Sequence, residues 1–135
     1  MRLLVDTHVL IWSVTRTVKL SPRARSLLED TSHDRVFSAA SIWEVAIKAS
    51  LRKPGFDVTA DDLLASVIQA GFIELPITSR AAARVADLPR HHGDPFDRLL
   101  IAQAIDADAR LLTADATLGL YGPCLLYTSP SPRDS

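Results

Sequence analysis

A single cysteine, Cys124, leaves no partner for an intrachain disulfide and no cysteine-built zinc site. A reducing, cytosolic location is therefore expected. Excess charge is lacking too: 15 Lys and Arg against 16 Asp and Glu give a net charge of -1. Bulk charge thus announces no nucleic-acid partner, and any basic surface would be local. No apolar run approaches the roughly 18 residues that a membrane-spanning helix needs, so no membrane is expected as a partner. The first residues do not read as a signal peptide, because Asp6 and His8 interrupt the apolar stretch and no small-residue cleavage site follows. Internal repeats are absent. What remains is 135 residues with 47% hydrophobic content, enough for one domain with a real core.

Apolar runs alternate with helical patterns along the chain. Arg2 to Asp6 reads as a short strand, apolar almost throughout, as in a parallel sheet covered on both faces. Thr7 can cap the next helix, with Leu10, Ile11 and Val14 inward. Ser21-Pro22 starts another helix, and Val36-Phe37-Ser38 is a second strand. The spacing then predicts a helix from Ser41 to Leu51, with Ile42, Val45, Ala46 and Ala49 buried and Ser41, Glu44 and Lys48 on another face. Thr59 caps a helix carrying Leu63, Leu64, Val67 and Ile68. Phe72 to Leu75 is a third strand, Thr78 to Leu88 a helix, and Asp94-Pro95 opens the strongest helix. Arg110 to Leu112 and a weak segment near Cys124 to Tyr127 complete about five strands. Strands alternating with helices predict an α/β domain with a mainly parallel sheet.

Four acids fall where such a sheet would gather them. Asp6 closes the first strand, and Asp115 follows the Leu111-Leu112 pair by three residues. Ligands of open α/β sheets bind beyond the carboxyl ends of the strands. Glu44 and Asp97 lie in helices that can point to the same place. Four carboxylates in one pocket repel each other unless a cation lies between them, and hard oxygen donors suit Mg²⁺ or Mn²⁺. That points to phosphate chemistry. Each acid also has a plainer reading. Asp6 could cap a helix, and Glu44 could pair with Lys48 four residues on. Asp97 fits the third helical position of a capping pattern begun by Asp94, and Asp115 could be a turn residue. His91 and His92 lack a third ligand at zinc spacing. His8 is expected to pack or hydrogen-bond near Asp6. Trp12 and Trp43 read as core or partner-groove residues.

The motifs around these acids resemble a family. Leu-Leu-Val-Asp6-Thr7-His8-Val-Leu-Ile-Trp12, Ser38-Ala-Ala-Ser41-Ile-Trp-Glu44-Val-Ala-Ile-Lys48, His92-Gly-Asp94-Pro-Phe-Asp97-Arg98-Leu-Leu-Ile-Ala-Gln103 and Leu112-Thr113-Ala-Asp115 are similar to PIN domains. Within them they resemble VapC toxins, the ribonuclease half of bacterial VapBC toxin–antitoxin pairs. The resemblance runs from Met1 to about Gly122, and Asp-Pro-Phe-Asp-Arg is its sharpest part. It implies a three-layer α/β/α sandwich and an Mg²⁺- or Mn²⁺-dependent endoribonuclease acting on structured RNA, transfer or ribosomal. It implies an acidic pocket of Asp6, Glu44, Asp97 and Asp115, a VapB-like antitoxin as partner, and a homodimer.

The roles expected on that basis are specific. Asp6 and Asp97 hold the metal, Glu44 binds it or its waters, and Asp115 completes the shell or helps a second ion. Thr7, Ser41, Asp94 and Thr113 support these acids. Lys48 and Arg98, beside the acids, are expected to contact RNA phosphates, ahead of Arg16, Lys19, Arg23, Arg25, Arg52 and Lys53. The metal would activate water and neutralise the scissile phosphate. A catalytically inactive RNA- or protein-binding PIN module is the alternative. A receiver-type signalling domain is disfavoured, because the third strand ends in Leu75-Pro76 without a phosphoacceptor Asp. The domain is expected to span residues 1–126. Residues 127–135, with two prolines among small polar residues, read as a disordered tail. From Cys124 onward the sequence resembles translated library-adapter sequence, and the tail carries no part of the functional argument.

Overall fold

The computed structural model describes residues 1–90, 93–115, 118 and 125–127. The expectations for the His91-His92 pair and for residues 128–135 of the tail lie outside the described residues, whereas Tyr127, expected in the tail, ends the last strand.

Five strands form one sheet in the order β3-β2-β1-β4-β5. They are β1 (Arg2–Val5), β2 (Asp34–Ser38), β3 (Ile73–Leu75), β4 (Arg110–Thr113) and β5 (Leu125–Tyr127). Every neighbouring pair is parallel, with Leu4 opposite Val36 on one side and Leu111 on the other. Successive side chains of a strand point to opposite faces, which explains why these strands are apolar at consecutive positions. Leu4, Val36 and Leu111 enter one core with Leu100, Ile101 and Ala104. Val5, Phe37 and Leu112 enter the other with Val9, Leu10, Leu63 and Val67. The two cores lie between the sheet and its two layers of helices.

Among the described residues the α-helices are α1 (Thr7–Thr15), α2 (Pro22–Glu29), α3 (Ala39–Ser50), α4 (Ala60–Gln69), α5 (Ser79–Arg84) and α6 (Pro95–Asp106). Each has a side-chain N-cap: Asp6, Ser21, Ser38, Thr59, Thr78 and Asp94 in turn. Such caps satisfy the amide groups that a first turn leaves without partners.

Several sequence expectations are corrected. Thr7 does not cap α1. Asp6 does, accepting from the Val9 amide at 2.8 Å, and this frees the Thr7 hydroxyl for a longer reach. The helix expected from Ser41 begins at Ala39, because Ser38 ends β2 and caps α3 without a loop between them. Ala46 is exposed, and Glu44 and Ser41 take buried positions instead. The buried face of α3 thus carries polar groups, and apolar spacing alone misplaces it. Ile68, expected inward, is 59% exposed. The Thr78 to Leu88 helix is shorter: α5 ends at Arg84 and tightens into a 3₁₀ turn, Val85–Asp87.

Candidate active site

The strand order reverses between β1 and β4. Strands on one side of this seam continue through β2, those on the other through β5, and such a switch point opens a crevice at the carboxyl ends. Asp6 follows β1 at the seam, and its amide donates to the Leu112 carbonyl of β4 at 3.0 Å. Thr113 is the last residue of β4, and Asp115 lies two residues beyond. Its hydroxyl donates to Asp6 Oδ2 at 2.5 Å and accepts from the Asp115 amide at 3.0 Å. Thr113 therefore ties the two strand ends together through one side chain.

The neighbouring strand supplies the second wall. Ser38 runs directly into α3, whose second turn brings Glu44 into the crevice, almost fully buried. Thr7 Oγ1 lies 2.6 Å from Glu44 Oε1 and 3.1 Å from Ser41 Oγ. On the other side of Glu44, Lys48 Nζ lies 2.5 Å from Oε2. The third wall is the start of α6. Asp94 caps it, accepting from the Phe96 and Asp97 amides at 2.8 and 3.2 Å, and Pro95 fills the first helical position. Asp97 stands in that first turn.

Asp6, Thr7, His8, Glu44, Lys48, Asp94, Asp97 and Asp115 line one cavity of about 200 Å³. All four acids expected from the sequence are in it, with Asp94 as a fifth. Thr7 and Thr113 hydrogen-bond Glu44 and Asp6, and Ser41 lies against Thr7. Capping and site membership coexist for Asp6 and Asp94, and the Glu44–Lys48 pair coexists with the cleft. A larger cavity of about 350 Å³ lies between α2 and the β2–β3 edge, with Glu29, Asp30 and Asp34 in its lining. It gathers three acids against five here, and chemistry rather than size singles this one out.

Arg98, expected to contact RNA phosphate, meets backbone carbonyls in this structure. Its guanidinium donates to the carbonyls of Val85 and Pro89 at 3.0 Å each, closing the 3₁₀ turn, and it is not part of the cavity wall. Trp43 is 60% exposed rather than in a core, and meets Phe96 edge-on at 5.1 Å. His8 packs against Phe56 and Trp12, with ring centroids 5.1 and 5.9 Å away. Sequence reasoning missed Phe56 and Phe96, whose rings flank the Lys48 ammonium. The loop that delivers Phe56 carries no motif of its own.

Electrostatics set the character of the cleft. Burial pushes the Asp6 carboxyl above its ordinary value. Hydrogen bonds from Thr113 and the Val9 amide, with the charge of His8, oppose that rise only in part. Among the described residues no cation forms an ion pair with Asp6. Burial alone would lower the Lys48 ammonium, but the Glu44 hydrogen bond and the charges of Glu44, Asp94 and Asp97 raise it.

The residues therefore suit a hard divalent ion. The donors are carboxylates, and the buried Asp6 forms no ion pair among the described residues. The acids share the cavity, yet among the described residues no three lie close enough to share an ion as they stand. Side-chain rotation would have to bring them together, which carboxylates on helix starts and strand ends can do.

Comparison with known proteins now fixes the family. The model of the PIN domain matches residues 3–121, and the chain belongs to this family. Solved structures share the fold. A chain of the VapBC2 complex from Rickettsia felis, bound to a promoter DNA fragment, matches with a TM-score of 0.69 and 14% identity, over 96% of this chain and 99% of that one. DNA-bound VapBC from Salmonella typhimurium matches at 0.66 and 14%, over 96% and 98%. A toxin–antitoxin complex from Klebsiella pneumoniae matches at 0.63 and 18%, over 91% and 94%. No curated protein matches the chain.

Proposed function

We propose that this PIN domain is a divalent-metal-dependent endoribonuclease, the toxin of a type II toxin–antitoxin pair. The observation that carries the reading is one cavity at the β1–β4 seam lined by Asp6, Glu44, Asp94, Asp97 and Asp115. Asp6 and Asp97 would hold Mg²⁺ or Mn²⁺, Glu44 would bind it or its waters, and Asp115 would complete the shell or help a second ion. The bound ion supplies water activation and charge neutralisation at the scissile phosphate. The chain's own residues do the rest. Thr113 fixes Asp6 and the backbone of Asp115 at the seam, Thr7 orients Glu44, and Asp94 anchors the helix that carries Asp97.

In-line attack by water leaves a 3′-hydroxyl and a 5′-phosphate. This route needs no 2′-hydroxyl, so a preference for structured transfer or ribosomal RNA must come from binding. The likeness to chains of VapBC complexes supports a VapB-like antitoxin as partner, and a homodimer of the toxin is part of the same proposal. A cytosolic location agrees with RNA as substrate. Among the described residues no helix is long and apolar enough to cross a membrane.

A second reading, a PIN module that binds RNA or protein without cutting, draws on the absence of three converged acids among the described residues. End-group analysis separates the two. The nuclease reading expects bacterial transfer or ribosomal RNA incubated with Mg²⁺ or Mn²⁺ to yield fragments with 5′-phosphates. Fragments ending in 2′,3′-cyclic phosphate would contradict the water route, and intact RNA would favour the binding module.

A further inference from the structure

Trp43 lies 60% exposed, where a large aromatic side chain is ordinarily mostly buried. Its ring meets Phe96 in a T-shaped contact, with 5.1 Å between centroids and 71° between planes. In that geometry one ring turns its edge to the other, so Phe96 leaves at least one face of the indole uncovered.

The pair stands at the rim of the candidate active site. Trp43 precedes Glu44 on α3 and Phe96 precedes Asp97 on α6, and both acids line the cavity. One step along a helix turns the side chain by about 100°, so Trp43 looks away from the wall that Glu44 forms. Phe96 links the indole to that wall, because its centroid lies 5.5 Å from the Nζ of Lys48, a lining residue paired with Glu44. A strand whose phosphate enters the cavity carries its neighbouring bases over the rim. Every base has an apolar face, and an uncovered aromatic ring beside a phosphate site is a surface on which such a face stacks.

Ile47 and Leu51 continue the apolar line along α3, 36% and 62% exposed. A second copy of the chain fits this line less well than RNA does. An aromatic side chain offers about 150–250 Å², and these three are already partly buried, whereas a stable interface covers roughly 800 Å² per partner. The line also ends beside Arg52 and Lys53, both exposed, whose charges suit a phosphate backbone.

Resting on the ribonuclease reading above, we infer that Trp43 is a substrate-binding residue: its uncovered indole face stacks an unpaired base next to the scissile phosphate, and Phe96 holds the ring in place.

Equilibrium binding tests this apart from turnover. In the Trp12→Phe chain Trp43 is the sole tryptophan, so the fluorescence reports on this ring alone. The probe is an RNA octamer of random sequence, with Ca²⁺ in place of Mg²⁺ to neutralise the carboxylates. The octamer should quench Trp43. By anisotropy of a dye-labelled octamer, Trp43→Ala should bind about 5- to 150-fold more weakly than the wild type, and Trp43→Phe should recover most of the loss. An abasic strand of the same length should bind wild type and Trp43→Ala alike, because the base alone is stacked. Circular dichroism checks each fold, and Trp43→Leu replaces Trp43→Ala if that chain does not fold. Equal octamer affinity in wild type and Trp43→Ala would overturn the role of Trp43 while leaving the ribonuclease reading intact. A fall from dimer to monomer beside that equal affinity, read by sedimentation, would give the face to a second copy instead. No octamer binding by the wild type would overturn the RNA reading itself, and this inference with it.

Discussion

Asp6 carries three tasks on one carboxylate: it caps α1, accepts from Thr113 and faces the cavity. The cost falls on the metal-free chain. Burial raises its folded pKa above the ordinary 3.8, so between 3.8 and the raised value the folded chain holds a proton that the unfolded chain has lost. That contribution to stability is complete below 3.8 and is lost as pH rises through the folded pKa. Asp6→Asn keeps a capping oxygen and removes the charge. In EDTA at neutral pH its Tm should lie above that of the wild type, and the difference should shrink as pH falls toward 4. A lower Tm for the variant throughout would count against a buried, unpaired carboxylate. Thr113→Val should destabilise the chain by about 1–3 kcal/mol, because Asp6 loses a donor and the Asp115 amide an acceptor. Urea unfolding measures this. At this scale the sequence was legible where acids stood inside motifs, as with Asp94-Pro-Phe-Asp97. It named Thr7 as a support without its partner, Glu44, 37 positions away. It gave no sign that Arg98 binds the Val85 and Pro89 carbonyls.

Elements decide what the residues can reach. The strands were readable as short apolar runs because both faces of the sheet are covered, and the helix starts were readable from Ser21-Pro22 and Asp94-Pro95. The face of α3 was not, since the site requires Ser41 and Glu44 on its buried side. Apolar periodicity fails where function puts polar groups inward. The end of the α3 unit shows how a loop serves the site. Gly55 has φ +85°, and a Cβ there would lie 3.2 Å from His8 Nε2. Gly55→Ala should therefore cost about 1–3 kcal/mol in denaturant unfolding through backbone strain. It should also disturb the Phe56 ring that flanks Lys48. An unchanged unfolding midpoint would show that the loop adapts without strain.

Across the whole molecule, parallel pairing brings Asp6 and Asp115 to one seam from opposite ends of the sequence. Parallel order followed from the alternation of elements, whereas the strand order that makes the seam did not. Crossovers pack in only a few ways, but which strands become neighbours depends on contacts no local pattern carries. The fold and the acids make one further demand, that the metal stabilise the folded chain. At 100 times its Kd a bound ion adds about 2.7 kcal/mol, so Mn²⁺ should raise the wild-type Tm by several degrees and EDTA should reverse the rise. Asp6→Asn should lose most of this response.

The most direct measurement of the central claim is cleavage of total bacterial RNA by the purified chain with Mg²⁺ or Mn²⁺, beside Asp6→Asn and EDTA controls. Discrete fragments that both controls abolish are the predicted result. Cleavage that persists in Asp6→Asn, or intact RNA from a folded, antitoxin-free protein, would contradict an acidic metal site as the seat of activity.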